Sequence, residues 1–477
     1  MQLTDTLTNE KLELVPLAPD GIVRLYVCGI TPYSESHVGH ALFSVVFDVL
    51  RRYLDWQGVP VKHVQNFTDI DDKLIERSQR LGLAMSSLAE QNIAAYLEQL
   101  EAMNVKPAHE YPRVTEMIPQ IISFIAGLVA NGFAYASGGD VYYRVRKFGP
   151  RYGALSKRDI DDLLAGARID PTELKEDPLD FALWKGAKVG EPSWESPWGP
   201  GRPGWHIECS TMALHALGEQ IDIHGGGADL IFPHHSNEIA QTEALTGKPP
   251  FARIWMHNAL LQLGEEKMSK SLGNLVTIAE ALQRYGADAL RIFIINSHYR
   301  SPVTYSDEAL EAAKAGAARL REAADAAQPQ QMHTPPVTGD AAREKFIAAM
   351  EDDLNTPQAL AALFELARDI NRGRDRGRHI GPAQDTLREL AGVLGLTLAA
   401  PAHGLLAAAP FVALLQGLDG AAKAPGDAEA AIESLIALRR RYRAEKQWAL
   451  ADRVRDGLSE LGIELKDSAD GTDWSVR

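Results

Sequence analysis

The order of elements at the start of the chain limits the fold more than any other feature of the sequence. Residues 22–27 form an apolar run that ends at Cys28 and Gly29, which is typical of a buried strand. Apolar residues then recur at helical spacing until Gly58, and residues 59–66 predict a second strand. This strand–loop–helix–strand order is typical of the first half of a nucleotide-binding α/β unit. The sequence therefore predicts a Rossmann-type parallel sheet.

Two short motifs, HVGH and KMSKS, lie far apart in the chain, and each alone would be a weak signal. HVGH places His37 and His40 between the first strand and the helix, where a helix N-terminus faces bound phosphates. KMSKS adds Lys267 and Lys270. Two imidazoles and two lysines can hold a triphosphate from both sides and stabilise charge that develops on phosphoryl oxygens. The motifs together favour chemistry on ATP, and two unremarkable polar loops are the alternative.

The middle and C-terminal parts of the chain predict an insertion and two further domains. From residue 112 to 203, Gly, Pro, Trp and Tyr become frequent, which indicates an insertion that splits the sheet domain. Beyond KMSKS the chain is helical and rich in alanine. The expected fold class is α/β, with a split Rossmann-type catalytic domain, an α-helical bundle and a small mixed α/β C-terminal domain. The expected ranges are 1–111 and 204–250 for the sheet domain, 112–203 for the insertion, 251–305 for the region with KMSKS, 306–400 for the bundle, 401–427 for a linker and 428–477 for the last domain.

Composition narrows the class of protein. Hydrophobic residues make up 45% and charged residues 24% of the chain, as in globular proteins. There is no apolar run of membrane-spanning length and no secretory signal pattern in residues 1–21, so we expect a cytoplasmic location.

The formal net charge of −15 excludes an indiscriminate nucleic-acid binder, because phosphate contacts need Lys and Arg. Any RNA must meet a local basic patch, and one helix near the C-terminus offers either such a patch or a solvated face: Arg439, Arg440, Arg441, Arg443 and Lys446.

The chain has only two cysteines, Cys28 and Cys209. A disulfide and two inert buried thiols are two interpretations, but both residues lie beside polar, glycine-rich segments, which favours a metal-binding or reactive role. Pro233 predicts the first position of a helix, which places His234 and Glu238 on one face. Two thiolates, an imidazole and a carboxylate suit zinc, and a solvent-facing His/Glu pair is the alternative.

Two further segments have both a functional and a structural interpretation. Residues 221–224 predict a strand, and the three glycines at 225–227 either let the backbone approach a ligand or form a plain turn. Asp69, Asp71 and Asp72 follow the second predicted strand and either bind substrate or cap a helix, with capping as the default expectation.

Longer segments carry a family resemblance that runs nearly the whole length of the chain. They are YVCGITPY (26–33), HVGH (37–40), FTDIDDK (67–73), GRPGWHIECS (201–210), DIHGGGADLIFPHHSNEIAQ (222–241) and EKMSKSLGN (266–274). The sequence closely resembles bacterial cysteinyl-tRNA synthetases, which are class I aminoacyl-tRNA synthetases. The resemblance implies that L-cysteine and ATP form cysteinyl-adenylate and pyrophosphate, and that cysteine then moves to the terminal adenosine of tRNA(Cys). It also implies a monomer, a stem-contact role for residues 251–305 and an anticodon-binding role for residues 428–477.

The resemblance assigns roles to individual residues. One zinc ion per subunit would be held by Cys28, Cys209, His234 and Glu238 and would bind the substrate thiolate, which makes an editing domain unnecessary. Four protein ligands usually close a zinc site, so substrate must add a fifth ligand or loosen one, for which Glu238 is the candidate. His37, His40 and Lys270 would act on the ATP phosphates, with Lys267 as a weaker candidate and Mg²⁺ as a companion of ATP. The implied cysteine and adenylate pocket comprises Gly29, Thr31, Thr68, Trp205, His224, Gly227 and Asp229, although Trp205 could equally be core packing.

The chain departs from the family pattern at two positions. Val38 stands where Ile is common, and little effect is expected because both side chains are β-branched and apolar. Leu42 stands where many members carry Arg, which removes a phosphate contact. CGITPY followed by GHA also resembles the cysteine ligase of the mycothiol pathway. Glu238 and the long extension beyond KMSKS favour the synthetase, and the intact motifs argue against a non-catalytic paralogue.

Overall fold

The computed structural model describes most of the chain. The described residues are 1–160, 174–263, 266–267, 276–330, 335–399, 408–419, 425, 427–467 and 472–476. The chain divides into two compact units, the first with Met1–Ile278 and Ala287–Leu398, and the second with Ala279–Gly286 and Ala399–Arg477. No described helix has the length and apolar character needed to cross a membrane.

The first unit opens with a hairpin and the predicted strand–helix–strand segment. Its elements are β1 (Gln2–Asp5), β2 (Glu10–Glu13), β3 (Val23–Ile30), α1 (Val38–Trp56), β4 (Val61–Phe67), α2 (Asp72–Leu81) and α3 (Met85–Ala102). β3 and β4 pair in parallel. The carboxylate of Asp71 caps α2 by accepting a hydrogen bond from the backbone N–H of Lys73 at 2.8 Å, which confirms the capping expectation for that residue.

A small antiparallel sheet follows within residues 112–203. The elements here are α4 (Ile118–Ala130), β5 (Ala134–Ser137), β6 (Asp140–Tyr143), α5 (Val145–Phe148), β7 (Phe181–Gly186) and β8 (Gly201–Pro203). The strands pair in the order β5-β6-β7-β8. Fully buried Tyr143 and Trp184 come from this sheet and pack in the same core cluster as Tyr26 of β3.

The chain then returns to the parallel sheet. The next elements are α6 (Trp205–Leu217), β9 (Ile221–Gly227), α7 (Ser236–Thr246) and β10 (Ala252–Asn258). The strand order is β10-β9-β3-β4, with every pair parallel, which confirms the predicted Rossmann-type sheet. The fourth strand, β10, comes from the range that the sequence assigned to the region with KMSKS. Because all four strands run the same way, their carboxyl ends share one edge, where such sheets bind ligands.

The remainder of the first unit is mainly helical. Its elements, in chain order, are β11 (Leu261–Leu263), β12 (Glu266–Lys267), α8 (Ile278–Tyr285), α9 (Ala287–Ile295), β13 (Val303–Tyr305), α10 (Asp307–Ala324), α11 (Asp340–Glu351), α12 (Thr356–Asp375) and α13 (Gly381–Val393). Apart from Ile278, α8 is assigned to the second unit. Helices α10 to α13 form the helical part expected beyond residue 305.

The second unit has its own small core. Its further elements are α14 (Ala408–Leu418), α15 (Ala428–Ala444), α16 (Trp448–Glu460), β14 (Ile463–Asp467) and β15 (Thr472–Val476), and the two strands form an antiparallel hairpin. Arg439 and Arg443 of α15 pair with Asp467 at 2.9 and 3.0 Å, and Arg441 pairs with Asp419 at 2.9 Å. Much of the basic stretch is therefore engaged in ion pairs within this unit.

Candidate functional site

The centre of the parallel sheet brings Cys28 next to His224. Cys28 lies on β3, and its neighbour β9 carries His224, whose Nε2 is 3.6 Å from the Cys28 Sγ. The next residue, Gly29, donates its backbone N–H to Asn66 Oδ1 at 2.9 Å, and a Cβ there would lie 1.7 Å from the Asn66 carbonyl oxygen. Only glycine allows β3 to approach β4 so closely at the edge where Cys28 stands.

α6 carries the second thiol. The Sγ of Cys209 lies 3.6 Å from that of Cys28, and both cysteines are buried and free. The disulfide interpretation therefore has no support in the structure. The Cys28 Sγ also lies 3.4 Å from Glu238 Oε1, so the two thiols share their buried site with a carboxylate.

The helix start predicted at Pro233 agrees with the backbone of the structure. Phe232 is extended, with φ −140° and ψ 132°, and the other residues of Ile231–His235 are helical, so helical geometry begins at Pro233 and continues into α7. His234 and Glu238 meet as predicted, with His234 Nε2 3.1 Å from Glu238 Oε1.

These four side chains, Cys28, Cys209, His234 and Glu238, are called the ligand cluster below. Each offers one donor atom, and the four atoms lie within 4.8 Å of one another, so the cluster could hold a metal ion. All four residues are buried, with His234 and Glu238 exposed by 1% or less. Buried charged groups are retained where they are paired or coordinate a metal.

Charge is shared unevenly within the ligand cluster. Burial, together with the contact to Cys209, raises the pKa of Cys28 well above its ordinary value. Burial also acts to raise the pKa of Cys209, but Cys28 and His234 outweigh it and lower this pKa to about 6. Burial acts to lower the pKa of His234, but Cys209 and Glu238 raise it to about 10. Burial opposes ionisation of Glu238, yet His224 and His234 hold its pKa well below the usual value. A proton on His234 thus balances anionic donors, and a metal ion can take that place.

Three histidines around the ligand cluster were missed by the sequence analysis: His206, His235 and His257. The Nδ1 atoms of His206 and His234 are 2.9 Å apart, and His235 Nδ1 is 2.7 Å from His257 Nε2. A signal existed for two of them, since His206 and His235 lie in the same family-resembling segments as Cys209 and His234.

The HVGH motif forms the start of α1. His37 is the N-cap residue, with an extended backbone, and its ring stacks on that of His40 with centroids 3.8 Å apart. A Cβ on Gly39 would lie 2.9 Å from the His37 ring, so a side chain at this position would displace that ring. Because His37 is the N-cap and His40 lies in the first turn of α1, both imidazoles are at a helix N-terminus, where anions bind favourably. Leu42, which stands where many family members carry Arg, is buried on the same helix with 3% exposure.

The segment that follows KMSKS lies beside HVGH. The N–H of Val38 donates to the carbonyl oxygen of Val276 at 3.0 Å, and His37 forms an isolated bridge with Thr277. Lys267 lies on β12, whose backbone pairs with Gln262 of β11. Lys270 lies outside the described residues. The described residues that follow KMSKS, Val276 and Thr277, are thus neighbours of HVGH within the first unit.

The other predicted pocket residues divide between the strand ends and the rim. Thr31 directly follows β3, and Thr68 directly follows β4, where its hydroxyl donates to Glu208 Oε2 at 3.0 Å. Gly227 ends β9, and Asp229 is exposed two residues later. All four positions lie at the carboxyl ends of parallel strands or just beyond them.

The structure decides between two interpretations of Trp205 and between two interpretations of the glycines at 225–227. Trp205 is 40% exposed, and its ring centroid lies 4.5 Å from that of His234, so it packs against one member of the ligand cluster and is not core packing. The three glycines belong to β9 and do not form a turn. A Cβ on Gly225 would lie 2.3 Å from the Phe47 ring, so helix α1, not a ligand, makes the close approach there.

Comparisons with known proteins agree in family and in fold. A family model described as the catalytic domain of class I (C) tRNA synthetases matches residues 14–315, and the DALR domain matches residues 345–399. A cysteine–tRNA ligase of Dehalococcoides mccartyi is 52% identical over 477 residues and covers 100% of both chains. One of Thioalkalivibrio sulfidiphilus is 50% identical over 99% of each chain. Among solved structures, methionyl-tRNA synthetase of Mycobacterium tuberculosis in complex with methionyl-adenylate has a similar fold, with a TM-score of 0.59 at 16% identity over 83% of this chain and 94% of that one.

The family match covers more than the sheet. The identity with the relatives extends through the helical bundle and the second unit to the end of the chain. The chain belongs to the cysteine–tRNA ligase family of class I aminoacyl-tRNA synthetases.

Proposed function

We propose that this enzyme activates L-cysteine with ATP to cysteinyl-adenylate, releasing pyrophosphate, and transfers the cysteine to the 3′-terminal adenosine of tRNA(Cys). The observation that carries the proposal is the position of the ligand cluster. It lies at the carboxyl edge of the sheet whose first strand leads into the stacked histidines of HVGH. Such an edge suits a reaction between a thiol-bearing amino acid and a nucleotide.

Zinc fits the ligand cluster best. Two thiols, an imidazole and a carboxylate match its preferred donors, whereas Mg²⁺ would take oxygen ligands only. When bound, zinc would supply a Lewis acid that prefers a thiolate to the hydroxyl of serine. Protein side chains next to the ligand cluster would also contribute to the selection of cysteine over serine. Trp205 packs against His234, and Thr68 donates a hydrogen bond to Glu208, the residue before Cys209. This mode of recognition needs no editing domain.

ATP would bind across the HVGH and KMSKS motifs. His37 and His40 stand at the N-terminus of α1, where an imidazole and the helix dipole both favour phosphate oxygens. We assign Lys270 to the transferring phosphoryl group and Lys267 to a lesser role, with Mg²⁺ bound to the ATP phosphates. Gly29, Thr31, His224, Gly227 and Asp229 complete the proposed pocket for cysteine and adenylate.

The second unit is proposed to read the anticodon. Trp448 begins α16 and is 58% exposed, with exposed Lys446 two residues earlier. An exposed indole beside a cation is suited to stacking on an unpaired base. The sequence analysis singled out the arginines of α15 and missed Trp448, whose exposure only the structure shows.

The cysteine ligase of the mycothiol pathway is a weaker candidate. A ligase that acts on a small amino sugar does not need an anticodon-reading unit. The 52% identity to a cysteine–tRNA ligase continues over 100% of the chain, second unit included.

The direct test is ATP–pyrophosphate exchange with cysteine and with serine, followed by charging of unfractionated bacterial tRNA in the same buffer. We expect exchange with cysteine only, together with acylated tRNA and one zinc ion per chain by elemental analysis. Exchange without acylation of tRNA would favour the cysteine ligase of the mycothiol pathway over the tRNA ligase. Absence of exchange in a zinc-loaded, folded sample would refute both activities. Light scattering in the same buffer tests the expectation of a monomer.

The substitution Lys270→Ala is expected to lower cysteine-dependent exchange at least ~100-fold, because it removes charge stabilisation at the phosphoryl group. Cysteine binding, measured by calorimetry, should remain. The control is Lys248→Ala, a 57% exposed lysine paired with Glu219, which should exchange normally. Equal exchange rates in the two variants would contradict the role of Lys270.

A further inference from the structure

We propose that the metal centre has two overlapping positions, and that a single ion can be held either by the ligand cluster or by a second set made of Cys28, His224, His235 and Glu238. The proposal rests on the proposed binding of metal in the ligand cluster. It adds His224 and His235 as protein ligands of the same ion. Cys28 and Glu238 belong to both sets, whereas Cys209 and His234 belong to the first only.

The second set has the geometry of a shared ion. Its four donor atoms lie within 4.8 Å of one another, and all four residues are buried. The Cys28 Sγ is 3.3 Å from His235 Nε2, 3.6 Å from His224 Nε2 and 3.4 Å from Glu238 Oε1. Donor atoms on one tetrahedral zinc ion lie roughly 3.3–3.8 Å apart when the bonds are about 2.0–2.3 Å long. These distances are comparable with the 3.6 Å between the two thiols of the first set.

The surroundings of His235 are those of a metal-binding histidine. Its Nε2 faces Cys28, and its Nδ1 is 2.7 Å from His257 Nε2. The Nδ1 of His257 is in turn 2.8 Å from the hydroxyl of Thr6. A ligating histidine is normally oriented by a hydrogen bond on its other ring nitrogen, and this chain of contacts supplies one. His224 is fixed differently, by stacking on Trp255 with ring centroids 4.5 Å apart.

The two sets differ in charge. Two thiolates and a carboxylate exceed the charge of a divalent ion by one, whereas one thiolate and one carboxylate balance it. An ion in the second position has therefore exchanged the Cys209 thiolate for a neutral imidazole and attracts an incoming thiolate more strongly. Because Glu238 belongs to both sets, movement between the positions exchanges Cys209 and His234 for the two histidines and leaves Glu238 bound, whereas Glu238 was the ligand expected to loosen.

The test compares variants that remove one set or both. Zinc content by elemental analysis and cobalt absorption spectra are measured for the full-length wild type, Cys209→Ser, Cys28→Ser, His235→Asn and the double variant Cys209→Ser/His235→Asn. We expect Cys209→Ser to keep one ion with about half of the thiolate-to-cobalt absorption. Cys28→Ser, which is common to both sets, should lose affinity at least ~100-fold. His235→Asn alone should keep its ion in the first position, whereas the double variant should lose it.

Each outcome is decisive. If Cys209→Ser loses zinc to the same degree as Cys28→Ser, the second position does not exist. If His235→Asn weakens zinc binding equally in the wild-type and Cys209→Ser backgrounds, His235 acts only through packing. Circular dichroism of each variant separates loss of fold from loss of metal, and His235→Asn is the control for folding of the double variant. Absence of zinc from the wild type would refute the proposed metal centre itself, which is a different failure.

Discussion

Gly39 controls how the two histidines of HVGH meet. The His37 and His40 rings stack at 3.8 Å with an interplanar angle of 20°. The position of a Cβ on Gly39, 2.9 Å from the His37 ring, leaves no room for a side chain without displacement of that ring. Glycine is a poorer helix former than alanine, so Gly39 lowers the stability of α1. In return, its lack of a side chain allows the two imidazoles to stack.

Gly39→Ala is expected to leave the free energy of unfolding unchanged or slightly raised, while cysteine-dependent exchange falls about tenfold or more, equivalent to about 1.4 kcal/mol in the barrier. Urea unfolding and exchange kinetics measure the two effects. Gly392→Ala in α13 is the matched control, because a Cβ there meets nothing within 4 Å. Full exchange activity in Gly39→Ala would show that the ring stacking has no part in the reaction.

At the scale of elements, a fully buried arginine ties four parts of the first unit together. Arg291 of α9 donates to Asp48 of α1 at 2.6 Å, and also to the carbonyl oxygens of Met103 after α3 and Leu394 after α13. Gly395 makes room for the guanidinium, since a Cβ there would lie 2.0 Å from Arg291 Nη2. The charge is thus shared between a carboxylate and two helix C-termini, which carry partial negative charge.

Arg291→Met is expected to lower the free energy of unfolding by about 3–5 kcal/mol, because it leaves Asp48 and buried carbonyls without their donor. Arg455→Met is the control, since Arg455 is 52% exposed and its pairs with Asp452 and Asp456 should contribute at most about 1 kcal/mol. Urea unfolding compares the two. If both variants lost a similarly small free energy of unfolding, the methionine at position 291 would stabilise the unit by packing about as well as the buried arginine does by its hydrogen bonds.

His63 of β4 gives the sheet an acid sensitivity. Burial, with Arg51 and His109, lowers its pKa to about 3, and neither ring nitrogen has a hydrogen-bond partner among the described residues. The unfolded chain takes up a proton near the ordinary pKa of about 6.5, so this stabilisation is present above that pH and is lost as pH falls towards 3.

The wild type should lose free energy of unfolding when the pH falls from about 7.5 to about 5, and His63→Leu should lose about 2 kcal/mol less over the same range. Urea unfolding at both pH values gives the difference. His215→Leu, at an exposed histidine of α6, is the control and should retain the wild-type dependence. The same pH dependence in His63→Leu would assign the acid sensitivity to other groups.

At the scale of the whole molecule, two compact units divide the proposed work. The ligand cluster and HVGH belong to the first unit, and Trp448 belongs to the second, which has a separate core that includes Leu435, Val454 and Ile463. Changes on the surface of the second unit should therefore affect the RNA step and leave the adenylation step unchanged.

Trp448→Ala is expected to lower kcat/KM for tRNA charging about tenfold or more, because stacking on one base contributes about 1–3 kcal/mol. Cysteine-dependent exchange should remain at the wild-type rate, and Trp448→Phe should retain most of the charging. Exchange and charging assays on the same samples separate the steps. A parallel loss of both would indicate damage to the fold, and no loss of charging would remove Trp448 from the RNA interface.

The sequence by itself determined the order of the main elements, because apolar spacing within a strand or helix is a local property. It predicted the parallel sheet, the position of HVGH at the N-terminus of α1, the capping by Asp71 and, through residue types and family resemblance, the four members of the ligand cluster. The structure supports the meeting of those four residues, while their roles and the expected domain boundaries stay predictions. The start of helical backbone at Pro233 was also readable from a local rule, because proline favours the first position of a helix.

Only the tertiary structure decided which side chains surround the cluster and which glycines are required. Cys28 and His235 are separated by 207 positions in the chain, and Arg291 and Asp48 by 243. Such pairs form where packed elements cross, and the spacing within each element carries no record of its neighbour. The chemistry of the ligand residues was therefore readable from the sequence, whereas the second set of donors was visible only once β3, β9 and the turn before α7 had come together.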